Sequence, residues 1–381
     1  MGLKGELTEV FSTDANDYDY SAIALNAEGT ILVCADFDNN LYCFSVNFDD
    51  DSCELEPQVQ AELDGGIALC MCGSSDENTF FLGDNEGCIY MWNPVKEELE
   101  GVTQLEDEII MDIQFCDHPE VGEMLVFTGT MNEICYWSLK KGEAIASVEL
   151  PGCGYCLSVQ NEYLMCGVED DNYCIIDLNT PDEIMEGNEQ KMAVKSTGSS
   201  ISYISCCAVD PSGDYFYLGG GGSGSGKGVI IYPDEKPHAF FAQGSSNRPA
   251  SCNDMAAFML EDNSALVTVG SSKQCFIWGV EDRSNIAKFP KSSSSRYTSS
   301  STAYTKVLIH PCNELVVVVE GADPSSMLKN KNFRTRKGKI VLLRLEVGKS
   351  RGGSSFSSGK KSFGNKKSGS KFGKNKNKRR W

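Results

Sequence analysis

The chain has 381 residues and a formal net charge of −20. Residues 349–381 carry 12 of the 34 Lys and Arg and no acid, so residues 1–348 hold 22 basic against 54 acidic residues, a net of −32. No apolar run reaches the roughly 18 residues of a membrane span, and the N-terminal "MGLKGELTEVFSTDANDYDY" lacks a secretory h-region, so no membrane insertion is expected.

In chain order the sequence repeats one phrase. Seven short apolar runs align on a central residue: "LYCFSV" on Phe44, "IYMWNP" on Trp92, "ICYWSL" on Trp137, "YCIIDL" on Ile176, "VIIYPD" on Tyr232, "CFIWGV" on Trp278 and "IVLLRL" on Leu343. The interval is roughly 40–65 residues, close to a four-stranded propeller blade with two insertions. A polar turn precedes each run ("DFDNN", "DNEG", "TMNE", "EDDN", "SGKG", "SSKQ", "TRKGK"), and a second apolar run precedes each turn, as in "ILVCA", "MLVFTG" and "ELVVVVEG". A third stands before that, as in "SAIALNAEG" and "YTKVLIHP", and "AIASVEL" and "AFFAQ" offer a fourth. Short β-branched and aromatic runs bounded by Gly, Asp and Asn read as strands, and helical periodicity is missing almost everywhere.

The last unit has no fourth strand after "IVLLRLE", and the N-terminal "ELTEVFST" can supply it and close the circle. The predicted fold is all-β: a seven-bladed WD40-like β-propeller over 1–348, with a disordered Gly/Ser/Lys-rich basic tail over 349–381. The WD dipeptide is absent, its places being taken by Trp92-Asn93, Trp137-Ser138 and Trp278-Gly279. Most of the 17 Cys sit inside apolar runs, which predicts reduced, buried thiols of an intracellular protein.

"GGGGSGSGKG", residues 219–228, contains G-x-x-x-x-G-K from Gly221, the outline of a phosphate-binding loop. Such a loop needs a Ser or Thr after the lysine for magnesium and a helix whose amides hold the phosphates. Here Gly228 follows Lys227, and then comes the strand "VIIYPD", so a hairpin loop in the fifth blade is expected. The 3 His fall in three different blades, and Cys153 and Cys156, three apart in a strand, point to opposite faces. No catalytic set, metal site or cofactor is predicted, and the chain reads as non-enzymatic. An enzyme reading would need an inward carboxylate cluster, which the sequence does not nominate.

The wording of the blades resembles the Rae/Gle family of nuclear-pore mRNA export propellers. "HPEVGEMLVFTGTMNEICYW" is similar to that family's third blade, and "ELPGCGYCLSVQNEYLMCGVEDDNYCIIDL" to its fourth. "ISYISCCAVDPSGDYFYLGGGGSGSGKGVIIY" and "CNDMAAFMLEDNSALVTVGSSKQCFIW" are similar to the next two, and the resemblance keeps blade order over roughly 7–346. It implies a non-enzymatic adaptor at the nuclear pore, in the nucleus and partly in the cytoplasm. It further implies docking of a GLEBS-type hairpin from a GLFG nucleoporin and support of poly(A) RNA export. The alternatives are the related Bub-type checkpoint propeller, with checkpoint kinases as partners, and a generic WD40 scaffold. The chain departs from the family at Phe37 and Met131, where its turns carry S-W-D, and in the glycine loop.

Those departures nominate sites. Phe37 and Met131 are apolar residues in polar turns on the top rim: partner anchors, or side chains tucked against a neighbouring blade. In the seventh-blade loop, Lys329, Lys331, Arg334, Arg336 and Lys337 surround Phe333, a composition suited to RNA or an acidic partner, or simply to a solvated loop. The tail, ending "KNKNKRRW", is expected to add weak affinity for RNA or messenger ribonucleoprotein and to serve nuclear import.

Overall fold

The computed structural model describes residues 3–348, apart from 14–18, 49–52, 179–194, 198–200, 202, 222–226, 233–235, 244–249, 291–301 and 323–337. Every regular element in these residues is a strand, and the strands form seven four-stranded antiparallel sheets. Blade 1 is β2 (Tyr20–Leu25), β3 (Ile31–Asp36), β4 (Asn40–Phe48) and β5 (Cys53–Glu62). Blade 2 is β6 (Ala68–Gly73), β7 (Phe80–Asp84), β8 (Cys88–Asn93) and β9 (Glu98–Gln104). Blade 3 is β10 (Ile110–His118), β11 (Gly122–Gly129), β12 (Glu133–Ser138) and β13 (Glu143–Glu149). Blade 4 is β14 (Gly154–Gln160), β15 (Tyr163–Val168), β16 (Asn172–Asp177) and the short β17 (Lys195–Ser196). Blade 5 is β18 (Tyr203–Val209), β19 (Phe216–Gly221), β20 (Lys227–Ile231) and β21 (His238–Ala242). Blade 6 is β22 (Cys252–Leu260), β23 (Asn263–Gly270), β24 (Cys275–Gly279) and β25 (Ser284–Phe289).

Blade 7 combines the two ends of the propeller. β26 (Thr302–Ile309), β27 (Leu315–Ala322) and β28 (Lys339–Gly348) are joined at the outer edge by β1 (Lys4–Ser12). β1 runs antiparallel to β28 from Lys4 opposite Gly348 to Ser12 opposite Val341, as the N-terminal phrase predicts. The propeller lies in one unit, Met1–Lys349, and the predicted tail lies outside the described residues.

The burial of each strand explains its composition. Second strands are covered on both faces: β3 and β7 are buried almost throughout, as is the described stretch from Leu315 to Gly321. Their sequences are therefore continuous apolar runs, not alternations. Outer strands such as β9 are mostly exposed and polar. Among the described residues the core divides into seven clusters, each between two neighbouring blades. The seam between blades 7 and 1 buries Leu342, Val317, Leu32 and Phe44 in one such cluster.

Every innermost strand carries a β-bulge near the start of its pairing with the second strand, after one pair in blades 1, 2, 3, 4 and 6, two in blade 5 and three in blade 7. The extra residues are Ser21, Leu69, Met111, Tyr155, Ser205, Asn253 and Thr305. A bulge sharpens the local twist and re-aims adjacent side chains. It also crowds the end of the second strand. A Cβ at Gly129, Gly220 or Gly270, three equivalent positions, would lie 1.8 to 1.9 Å from the carbonyl oxygen of Ile109, Tyr203 or Ser251.

The register also corrects one alignment. Leu32 pairs with Phe44, Phe80 with Trp92, Leu125 with Trp137 and Leu266 with Trp278. In blade 5 the equivalent pair is Phe216 with Ile231, not Tyr232. Ile231 is buried, whereas Tyr232 packs edge-on against Tyr215 and accepts a hydrogen bond from Arg283.

Turns between first and second strands lock neighbouring blades at the lower rim. Asn26 donates to the Glu77 carbonyl at 2.9 Å, and Ser264 donates to Asp210 at 2.9 Å. His118 accepts backbone N–H bonds at Nδ1 from Glu120 and Val121, which leaves Nε2 to donate to the Leu178 carbonyl at 2.8 Å. His310 repeats the arrangement, accepting from Cys312 N–H and reaching the Gly29 carbonyl at 3.1 Å across the seam. Two of the three histidines are thus blade-to-blade fasteners.

Candidate functional site

In an antiparallel blade the second-to-third-strand turns and the links between blades share one end, the upper rim. Across blades 1–4 this end comprises 36–40, 63–67, 84–88, 105–109, 129–133, 150–153 and 168–172, none of which contains Lys or Arg. Asp38, Asp64, Glu86, Glu106, Asp107, Glu169 and Asp170 are exposed there. Local chemistry sets these turns. Asp36 accepts N–H bonds from Asp38 and Asn40 and the Tyr42 hydroxyl; Asp84 does the same for Glu86, Cys88 and Tyr90. Asp170 and Asp171 both take positive φ, 60° and 59°, a conformation that Asp tolerates in a tight hairpin.

Phe37 and Met131 both lie in upper-rim turns, on blades 1 and 3. Phe37 is half-buried and joins none of the core clusters; its N–H donates to the Asp19 carbonyl at 3.2 Å. Met131 is also half-buried, but it packs against the cluster of Phe81, Ile110 and Phe127 between blades 2 and 3. The basic candidates Lys329, Lys331, Phe333, Arg334, Arg336 and Lys337 lie outside the described residues. Beside that segment, Glu320 pairs with Lys273 and, at 3.8 Å, with Lys339.

The glycine stretch runs from β19 into β20, so the segment after Lys227 is a strand, and residues 222–226 lie outside the described ones. All 17 cysteines are free thiols; Cys153 and Cys156 share no bond, and Cys312 is exposed beside His310. Among the described residues no group of three or more His, Cys, Asp or Glu could hold a metal ion, and no helix is long and apolar enough to cross a membrane.

Sequence reading missed the central channel. Its cavity, about 310 Å³, is lined by the innermost strands and includes Met111, Asp112, Tyr155, Asp254 and Lys306. Asp112 accepts N–H bonds from Ile113 at 2.8 Å and, in the next blade, from Leu157 at 2.6 Å. Asp254 repeats the pattern with Met255 at 2.9 Å and Val307 at 2.8 Å. Each follows the bulged residue of its strand, a position visible only once the bulges are known. Burial pushes Asp112 up to about 6, against the lowering effect of the Leu157 N–H and Lys306; Asp254 is raised for the same first reason.

That shift predicts a pH dependence. A carboxyl whose folded pKa is raised contributes stability that is fully present below its unfolded value near 3.8 and lost as pH rises through about 6. Asp112→Asn removes the charge but turns an N–H toward one of the two backbone donors. Relative to wild type, the variant should therefore gain by roughly 1–2 kcal/mol between pH 4 and 7.5, allowing for water in the channel. Urea unfolding at both pH values checks this, and parallel profiles would disprove it.

As a class, the molecule is a seven-bladed, WD40-like β-propeller, a scaffold suited to protein partners. A scan of protein-family models finds no match to the chain, and a search of curated proteins likewise finds none.

Proposed function

We propose that the chain is a non-enzymatic adaptor that docks a hairpin segment of a protein partner on its upper rim, with Phe37 and Met131 as anchors. The observation that carries this is Phe37: a half-buried aromatic in a polar turn, absorbed by no core cluster. The blade-order resemblance to the export family supports a GLEBS-type hairpin of a GLFG nucleoporin as the partner, poly(A) RNA export as the role and the nuclear pore as the place. RNA affinity falls to the blade-7 loop and the 349–381 tail, because the upper rim of blades 1–4 is acidic and repels phosphate.

Affinity purification from cells with mass spectrometry tests the partner: GLFG nucleoporins support the reading, and their absence counts against it. Phe37→Ala with Met131→Ala should weaken hairpin capture by roughly 2–4 kcal/mol while sparing most of the Tm. Normal capture with earlier unfolding would make both residues packing elements. Deleting 349–381 should lower RNA affinity and flatten its salt dependence, yet leave hairpin capture intact. An unchanged salt slope would remove the tail from RNA binding.

A further inference from the structure

The seven bulged residues fall into two groups around the ring, and three of them, Met111, Tyr155 and Ser205, line the channel. In blades 5, 6, 7 and 1 they are Ser, Asn, Thr and Ser; in blades 2, 3 and 4 they are Leu69, Met111 and Tyr155. All three are half-buried, and none joins a core cluster. Met111 and Tyr155 line the channel directly, beside Asp112.

Carboxylates stand at the blade 3–4 link beside this strand: the Glu169 N–H donates to the carbonyl of Cys153, two residues before Tyr155, at 2.9 Å. The Tyr155 phenol is held above its usual range by burial and then by Cys153, Glu169 and Asp170; Cys153 in turn senses Glu169 and Glu108. Glu169 leans over the link between blades 3 and 4, where its Oε2 lies 2.9 Å from a Cβ built at Gly152. Glu108 is fixed by the Thr130 hydroxyl at 2.6 Å. Within the channel, Lys306 is one cation facing two acids, Asp112 and Asp254, whose carboxylates are fixed by backbone N–H groups. An aromatic face beside preorganised carboxylates favours a cation with an apolar stem.

We propose that the channel mouth between blades 3 and 4 receives a lysine or arginine side chain from an extended basic peptide. Met111 and Tyr155 pack its stem, and Asp112, Glu108, Glu169 and Asp170 accept its charge. The acidic upper rim of blades 1–4 selects a basic partner segment around that anchor. This deepens the reading of the upper rim as a docking face, but it uses residues other than Phe37 and Met131, so the two can fail separately.

The test is fluorescence anisotropy with the full chain and labelled decapeptides of alternating serine and arginine, or serine and lysine, with citrulline replacing arginine as the neutral control. At least one cationic peptide should bind, and citrulline should cost about tenfold or more. Tyr155→Ala should weaken binding about tenfold, and Tyr155→Phe, which keeps the ring, should retain it. Glu169→Gln with Asp170→Asn alters an exposed turn and should cost several-fold even if Tyr155→Ala fails to fold. Glu261→Gln with Asp262→Asn, in a lower-rim turn, should change nothing. Equal losses from the two acidic pairs would reveal general charge attraction and overturn the proposal, as would citrulline binding as well as arginine. A loss of hairpin capture in Phe37→Ala with this peptide unaffected would leave the proposal standing, and the converse result would leave the hairpin reading standing.

Discussion

Leu7→Asp is expected to open the ring. Leu7 is 1% exposed, pairs with Leu345 across β1 and β28, and packs in the cluster between blades 6 and 7. The substitution removes a buried aliphatic side chain, worth about 2–3 kcal/mol, and buries a carboxylate with no cation among its core neighbours. The loss should therefore reach roughly 4 kcal/mol or more, far above an ordinary point substitution. The consequence extends beyond one strand, because β1 is the outer strand of blade 7. Without it, β28 becomes a free edge, and a free edge invites pairing with a second chain. The variant should show a lower Tm and concentration-dependent association by light scattering. A monomeric variant with wild-type Tm would mean that β1 is a loosely applied cover and that blade 7 stands with three strands.

The closure at Leu7 was legible because its signal is a count: the last repeat lacks a strand, and the N-terminus offers one. The blade order and most registers were legible for a similar reason, since apolar runs and polar turns recur at one spacing. The slip at Tyr232 shows where that method ends. An aromatic residue attracts the alignment, but burial selects Ile231, and only hydrogen-bond register separates neighbours in one apolar run. The channel was harder still. Met111, Tyr155 and Asp112 stand in unremarkable strand phrases, and nothing in "EIIMDIQF" says that one residue is extra. A bulge is a relation between two strands, so it leaves no mark on either alone. The acids of the upper rim were visible one by one as turn residues; their place at the blade 3–4 link depends on how blades 3 and 4 stand side by side. The lower-rim fasteners follow the same rule, since His118 and His310 gain their meaning from carbonyls in the next blade.

The glycine-rich stretch supplies the second large effect, and it concerns packing, not phosphate. Gly220→Val is expected to destabilise the protein by about 3 kcal/mol or more. Its Cβ would stand 1.8 Å from the Tyr203 carbonyl oxygen and 2.9 Å from an Ile201 methyl. The first is backbone of β18, two residues before its bulged Ser205 and paired with Gly221, so no rotamer change relieves it. A branched side chain then adds volume to a position that is already buried. Gly129 and Gly270 meet the same obstacle in blades 3 and 6, so valine at either should act alike. Lys227→Ala is the contrast. A nucleotide loop would depend on that lysine, whereas a hairpin joining two strands does not. The expected outcome is a Tm lowered by several degrees or more for each glycine variant and an essentially unchanged Tm for Lys227→Ala, with no saturable ATP binding by the wild type or by Lys227→Ala. Stable glycine variants would contradict the bulge argument. ATP binding that vanishes with Lys227 would contradict the hairpin assignment, and the two measurements are independent because one reads backbone crowding and the other reads a ligand.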